Sequence, residues 1–299
     1  MMPQDAYGFE VLKKRLGALI LAHSYQPREI QDMADEVGDS LELSRFAMTA
    51  RAPLVIFCGV RFMAETAKIL SPESIVRLVS PGADCSLAAC MSGLDAREWK
   101  TGHPGATLVT YVNSSVEVKA ESWACCTSAN AVSVVRAAPA GEVLFGPDRN
   151  LATFVAQESG RDVIPWPGGC HAHAGADIRD LRRAKEHWPD ACVLVHPETP
   201  PVFWREADRV LGTGGMIRFV SGSRTRRFII GTEEGMLHRL STLFPDREFL
   251  AAGGISCADM RNATTDMVFR ALDSRDAGIT VPDEYAEPAR RALERMTAL

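Results

Sequence analysis

ALILAHSYQ (residues 18–26), TLVTYVNSS (107–115) and CVLVHPETP (192–200) are three versions of one pattern, a short β-rich apolar run that ends in a polar triplet. The triplets are His23-Ser24-Tyr25, Tyr111-Val112-Asn113 and His196-Pro197-Glu198, and their first residues lie 88 and 85 positions apart. Three further landmarks keep that step. Ser40, Ser128 and Thr213 end the tripeptides GDS, CTS and LGT, again 88 and 85 apart. Gly59, Gly146 and Gly231 close the apolar runs VIFCG, VLFG and FIIG at steps of 87 and 85. Cys85, Cys170 and Cys257 follow at steps of 85 and 87. Four landmarks in phase over three copies mark one supersecondary unit used three times.

Inside a repeat the pattern alternates strand and helix. Ala18–His23 reads as a strand, 27–37 as a helix with Pro27 in its first turn, and 54–59 as a strand apolar on both faces. Arg61–Leu70 reads as a helix stopped by Ser71-Pro72, and 75–80 as a further strand. Strands alternating with helices imply right-handed crossovers and a parallel sheet covered on both faces. The fold class is therefore α/β, with three pseudo-symmetric three-layer α/β/α sandwich domains and parallel sheets, at 1–85, 86–170 and 171–257. Beyond Cys257 no strand pattern recurs. The stretches 258–273 and 284–299 read as helices, so 258–299 is expected to pack back on the first repeat and close the ring. Such sheets bind ligands beyond the carboxyl ends of their strands, where the triplets, glycines and cysteines all fall. With those ends turned toward a pseudo-threefold axis, the landmarks meet at one central site.

The 299 residues are 46% hydrophobic and 24% charged with a net charge of −5, an ordinary globular composition. No basic tract suggests a nucleic-acid or membrane surface. The first fifteen residues are polar and mixed in charge, without the apolar core of a signal peptide, and no apolar run approaches the ~20 residues of a membrane span. A cytoplasmic protein is expected. Its eight cysteines are then candidates for metal binding, catalysis or burial rather than disulfides. No CxxC pair is present, so metal ligands would have to come from distant parts of the chain.

Three thiolates from three repeats make an incomplete tetrahedron. A structural zinc site is normally closed by four protein ligands, whereas an iron–sulfur cube on three cysteines leaves one iron open as a Lewis acid. The groups at the strand ends suit catalysis on a small anion. His23, His173 and His196 can move protons near neutral pH, Glu198 can act as a base, and Tyr25, Tyr111 and Asn113 can supply hydrogen bonds. Ser40, Ser128 and Thr213 each precede an apparent helix start, at Leu41, Ala129 and Gly214, where hydroxyls and free N–H groups bind phosphate or carboxylate. Taken singly, such a serine is more often a plain N-cap, such a histidine is more often structural, and Glu198 after a proline is a solvated charge. Phasing decides between these readings. The polar groups take equivalent places yet differ in identity, which a symmetric scaffold does not need and an asymmetric ligand does. Cys58, Cys90, Cys125, Cys126 and Cys192 fall out of phase and read as core or supporting thiols.

At these residues the sequence resembles the quinolinate synthase family. The matching stretches are HSYQPREIQDMADEVGDSLELS (23–44), FCGVRFMAETAKILSPE (57–73), VTYVNSSVEVKAES (109–122), CTSANAV (126–132), LFGPDRNLA (144–152), HPE (196–198) and FIIGTEEGMLHRL (228–240), together with CSLA at Cys85, WPGGC before Cys170 and CADM at Cys257. The resemblance implies three similar α/β/α domains around a 4Fe-4S cluster held by Cys85, Cys170 and Cys257. It implies condensation of iminoaspartate with dihydroxyacetone phosphate, with loss of phosphate and two waters, to quinolinate for NAD biosynthesis, and a functional link to L-aspartate oxidase or aspartate dehydrogenase. Carried over, the substrate site is His23, Tyr25, Ser40, Tyr111, Asn113, Ser128, His173, His196, Glu198 and Thr213. The chain also departs from the family. Gly212-Thr213-Gly214 stands for Ser-Thr-Ser, Ala174 for an acidic residue, Arg261 for a common Lys, and SPGAD precedes Cys85. These departures leave open a divergent cluster-dependent hydro-lyase or condensing enzyme acting on another small acid.

Overall fold

The computed structural model describes residues 6–299; residues 1–5 of the polar N-terminal stretch lie outside them. The first repeat runs α1 (Ala6–Leu16), β1 (Ala18–His23), α2 (Arg28–Met33), β2 (Glu36–Gly38), α3 (Ser40–Ala50), β3 (Leu54–Cys58), α4 (Arg61–Leu70) and β4 (Ile75–Leu78). The second runs α5 (Gly93–Gly102), β5 (Thr107–Tyr111), α6 (Val116–Glu121), β6 (Ala124–Cys126), α7 (Ala131–Ala137), β7 (Val143–Gly146), α8 (Arg149–Ser159) and β8 (Val163–Pro165). The third contains α9 (His171–Ala174), α10 (Ile178–His187), β9 (Cys192–Val195), α11 (Pro201–Trp204), β10 (Arg209–Val210), α12 (Thr213–Gly222), β11 (Arg227–Gly231), α13 (Gly235–Leu243) and β12 (Glu248–Ala251). Helices α14 (Ala258–Arg261), α15 (Thr265–Asp273) and α16 (Asp283–Ala298) complete the chain.

The three sheets share one order, β2-β1-β3-β4, β6-β5-β7-β8 and β10-β9-β11-β12, and every pair is parallel. The fold class read from the pattern is therefore the one observed, but each sheet has one strand more than the pattern disclosed. The helix read over 27–37 ends at Met33, and 36–38 pairs with β1 instead. Asp35 makes the switch. Its N–H donates to Ile20 O and its Oδ2 accepts from Ile20 N. Asp208 repeats this with Val193 in the third unit. A three-residue edge strand has too few alternations to show a period of its own.

The strand period of two sorts side chains into two kinds of core. Leu21, Val55 and Phe57, Val109, Val143 and Phe145, and Leu194, Phe228 and Ile230 point inward into one apolar cluster shared by all three units. Their alternates form three outer clusters: Ile20, Leu54 and Ile56 under α1, α2 and α15; Leu108 and Leu144 under α5; and Val193 and Ile229 under α10. The inner faces thus hold the units together and bring the carboxyl ends of the strands toward one point. Helix α15 packs on α1 and β3, while α16 lies across α6 and β6 of the second unit and α3 and α4 of the first. Asn130 Nδ2 donates to Met296 O at 2.8 Å and Arg45 Nη2 to Thr297 O at 2.9 Å, fixing α16 to both units.

Leu293 of α16 is fully buried in the shared cluster. Leu293→Ala is expected to lower the unfolding free energy by about 2–5 kcal/mol, while Glu294→Ala on the exposed face changes it by no more than ~0.5 kcal/mol. Urea unfolding of the two variants checks this.

Candidate active site

One cavity of about 60 Å³ lies where the three sheets converge. His23, Tyr25, Ser40, Tyr111, Asn113, Ser128, His173, His196, Glu198, Thr213, Cys85, Cys170 and Cys257 all line it. Each site residue expected from the repeat is therefore brought to one place. Asp39, Met63, Thr127, Ala172, Glu233 and Met260 complete the wall. No lysine or arginine is among the described lining residues.

Glu198 sits at the centre of the hydrogen bonding. Tyr111 OH donates to Oε1 at 2.6 Å, and His173 Nδ1 lies 2.9 Å from Oε2. Burial alone would raise the Glu198 pKa, but His173, His196 and the Tyr111 hydrogen bond outweigh it and hold the carboxylate well below its ordinary range. His23 and His196 share one geometry. Each accepts a backbone N–H two residues on, from Tyr25 at 3.1 Å and Glu198 at 3.3 Å, through Nδ1. That leaves the proton on Nε2, and His196 Nε2 lies 3.0 Å from Ser128 Oγ. Burial pushes these two histidines down to about 4 and about 3, so both are neutral donors at working pH. Burial and the nearby Glu198 charge push Tyr25 and Tyr111 well above 10. Tyr25 OH and His173 Nε2 both reach Thr232 Oγ1, at 2.6 and 3.0 Å. Asn113 Oδ1 is buried without a partner among the described residues, an acceptor that a bound molecule would satisfy.

The three phased cysteines have one local setting. Cys170 is the N-cap of α9 and Cys257 of α14, and Cys85 precedes a 3-10 turn at Ala88–Cys90. Burial raises all three thiols, Cys85 to about 12, while backbone N–H groups of the following turn act in the opposite direction. All are free thiols. Soft thiolate donors of this kind select zinc, copper(I) or iron–sulfur groups. Among the described residues, the set of three ligand atoms close enough for one ion is Cys170, His173 and Glu198, within 4.8 Å of one another; the three cysteines do not form such a set. Thiols that face one cavity but stand too far apart for a single ion fit a polynuclear sulfur-bridged cluster. Of the cysteines out of phase, Cys58, Cys125 and Cys126 are buried in strands, and Cys90 and Cys192 are half-buried away from the cavity.

The helix starts differ from their sequence reading. Asp39, Asn130 and Gly212 are the N-caps, so none of Ser40, Ser128 and Thr213 caps a helix, and α7 starts only at Ala131. Much of the N–H supply is already taken. Asp39 Oδ1 accepts from Leu41 and Glu42 and its Oδ2 from Gly214, while Asn130 Oδ1 accepts from Thr127. What faces the cavity is mainly hydroxyl. The two glycine departures lie against side chains of the neighbouring repeats. A Cβ at Gly212 would stand 2.5 Å from Ser128 Oγ, and one at Gly214 would stand 2.6 Å from Asp39 Oδ2.

Two pairs of positioning residues escaped the sequence reading. Asp148 Oδ2 accepts from Cys170 N at 3.0 Å and Oδ1 from Leu151 N at 2.7 Å; Glu233 Oε1 accepts from Cys257 N at 3.4 Å and Oε2 from Gly235 N at 2.6 Å. Both carboxyls are fully buried, they stand 85 positions apart, and each lies two residues after a phased glycine, in GPD and GTE. That spacing was the available signal. In the second pair, buried Lys119 donates to Ser114 O, and Gln31, 88 residues earlier, donates to Gln26 O at 2.8 Å. Each side chain closes the turn that carries its triplet.

The sequence matches the family model described as "Quinolinate synthetase A protein" over residues 9–298. It is 47% identical over 286 residues to a quinolinate synthase of Dehalococcoides mccartyi, covering 95% of each chain. It is 46% identical over 289 residues to one of Methanoregula boonei, covering 96% of each. To one of Pyrococcus furiosus it is 43% identical over 290 residues, covering 96% of this chain and 95% of that one.

Two outcomes are expected. Asp148→Ala strands the N–H groups of Leu151 and Cys170 and should destabilise the fold by about 1–3 kcal/mol, measured by urea unfolding. The second concerns acid. The pKa values of His23 and His196, about 4 and about 3, lie below the 6.5 of an unfolded histidine. Unfolding therefore takes up protons, and stability falls as pH drops from 6.5 toward 4. Each histidine contributes about 2 kcal/mol of loss between pH 7 and 5, and His23→Gln should flatten the measured slope.

Proposed function

The chain belongs to the quinolinate synthetase A protein family, and from that premise we propose how its residues serve the reaction. It is a quinolinate synthase, an enzyme of NAD biosynthesis. In our reading it condenses iminoaspartate with dihydroxyacetone phosphate, releasing phosphate and two waters. One observation carries the assignment of roles: a buried Glu198, hydrogen-bonded to Tyr111 and beside His173, and three unpaired thiols from three repeats share one cavity. The domain limits of this reading are 1–85, 86–170 and 171–257, with 258–299 lying against the first and, through α16, the second.

Cys85, Cys170 and Cys257 would hold a 4Fe-4S cluster with one open iron, which when bound supplies a Lewis acid for a substrate oxygen or nitrogen. The remaining steps fall to side chains. Glu198 keeps acceptor capacity beyond its Tyr111 and His173 contacts and takes the carbon-bound proton next to a substrate carbonyl or imine. It hands the proton to a departing hydroxyl as water is lost. His23 and His196, both neutral, donate from Nε2 to carbonyl or carboxylate oxygens without burying a cation. Asn113 Oδ1 accepts an N–H or O–H of the substrate. Ser40, Ser128 and Thr213 hold phosphate or carboxylate by hydroxyl contacts. With no lysine or arginine among the described lining residues, that grip is weak, which suits a phosphate that must leave as product. Gly212 and Gly214 lie against Ser128 and Asp39, and the departures at these positions keep open the alternative of a divergent cluster-dependent hydro-lyase or condensing enzyme acting on another small acid.

Iminoaspartate has to be made by oxidation of aspartate, which places an L-aspartate oxidase or aspartate dehydrogenase upstream. The cytoplasm suits the chain because reducing conditions keep all eight free cysteines as thiols.

Glu198→Gln should lower kcat by roughly 10²–10⁴ while iron and sulfide per chain stay at wild-type values, measured on anaerobically reconstituted enzyme with quinolinate as the readout. Retention of activity within tenfold would remove Glu198 from the role of base. A reconstituted wild-type chain that stays colourless and binds no iron would sink the cluster assignment.

A further inference from the structure

We infer that the cluster-free chain has a mononuclear site for a borderline divalent cation, Zn²⁺ above all, formed by Cys170, His173 and Glu198, and that a cation held there excludes the cluster. The ligand atoms lie within 4.8 Å of one another. His173 Nδ1 is already 2.9 Å from Glu198 Oε2 and 3.3 Å from Cys170 Sγ. Around zinc, with bonds of about 2.0–2.3 Å, tetrahedral ligand atoms stand roughly 3.3–3.7 Å apart. His173 Nδ1 would need to draw back from Glu198 Oε2 and Cys170 Sγ by only a few tenths of an ångström, and Cys170 and Glu198 already lie within 4.8 Å of each other.

The outer contacts are those of a supported metal site. His173 Nε2 lies 3.0 Å from Thr232 Oγ1, which itself contacts Tyr25 OH at 2.6 Å. Glu198 Oε1 accepts from Tyr111 at 2.6 Å, and the Cys170 N–H donates to Asp148 Oδ2 at 3.0 Å. Such contacts orient ligands and fix the imidazole tautomer. In the cation-free chain the imidazole Nδ1–H faces the Glu198 carboxylate; on binding, that proton moves to Nε2, which faces Thr232 Oγ1, and Nδ1 is freed for the cation. One proton leaves the Cys170 thiol for solvent, and Glu198 enters as carboxylate, so the charge balances. Three protein ligands leave a fourth position open to the cavity, as in catalytic zinc sites. The mixed thiolate, imidazole and carboxylate set selects zinc-like ions over magnesium or calcium.

The same geometry makes the two occupants exclusive. Cys170 cannot serve both, whereas Cys85 and Cys257 stand outside the ion site. Exclusion rests on the cluster assignment above, but cation binding does not.

The test uses the full-length, cluster-free, reduced chain under anaerobic conditions, with Zn²⁺ titrated against a chromophoric chelator and Co²⁺ as a spectroscopic probe. We expect one Zn²⁺ per chain. The double variant Cys85→Ser/Cys257→Ser should bind it within about threefold of wild type, while Glu198→Gln and His173→Gln each weaken it by at least ~10-fold. Co²⁺ should give a thiolate charge-transfer band that Cys170→Ser abolishes and the double variant keeps. Far-UV circular dichroism confirms that each variant is folded, and Glu198→Gln is close to isosteric. Zinc lost in the double variant but retained in His173→Gln would place the ion on the three thiols and overturn the inference, as would the absence of stoichiometric binding. Iron and sulfide uptake should fall in proportion to zinc occupancy, and full uptake by the zinc-loaded chain would overturn the exclusion. None of these readouts involves turnover, so their failure leaves the quinolinate synthase reading standing.

Discussion

Glu198 is 4% exposed, and a carboxyl so buried needs partners on a wall where no described residue is lysine or arginine. A carboxylate in that position would normally protonate or be paired with a cation. Here His173, 2.9 Å from one oxygen, and His196 contribute most to holding it, and the Tyr111 hydroxyl donates to the other oxygen at 2.6 Å. Much of the site follows from that requirement. Tyr111 must keep its proton, and burial beside Glu198 ensures that it does. His23 and His196 must be donors without adding charge, and the backbone N–H on each Nδ1 sets the tautomer that allows it. Thr232 anchors the far side of His173 and reaches Tyr25, so the chain of contacts from Glu198 passes into all three repeats.

The repeat explains how such a site arises from a simple plan. Each unit delivers the end of its first strand, a hydroxyl-bearing helix start and a cysteine before a short turn. Backbone features recur closely. The turn after β1 is closed by Gln31 and that after β5 by Lys119, and the second and third cysteines are pinned by Asp148 and Glu233. Side chains at the strand ends do not recur. One scaffold used three times thus presents a different functional group from each direction, which is what an unsymmetric pair of substrates requires.

Bringing three units this close has steric consequences. At the start of α12 the neighbouring Ser128 and Asp39 approach to where a side chain would stand, and glycine at 212 and 214 removes the conflict. Asp39 then bridges units, capping α3 while accepting from Gly214. The same carboxylate takes N–H groups that would otherwise be offered to an anion. What the wall offers at these helix starts is mainly hydroxyl.

The sequence by itself determined the threefold plan, the parallel α/β class and, through the family resemblance, thirteen of the nineteen described residues that line the cavity. The first two follow from local signals, namely apolar runs, turn residues and a repeat step carried by the chain. Three-residue edge strands such as β2 and the true N-caps were not legible, because too few residues carry the pattern and a hydroxyl beside an acid leaves the cap ambiguous. What only the tertiary structure decided is who touches whom: Tyr111 on Glu198, His173 between Glu198 and Cys170, Asp148 beneath Cys170, and glycine facing Asp39. Those contacts join residues from different parts of the chain across a shared apolar core. Their distances depend on how three sheets pack rather than on any one sheet's sequence.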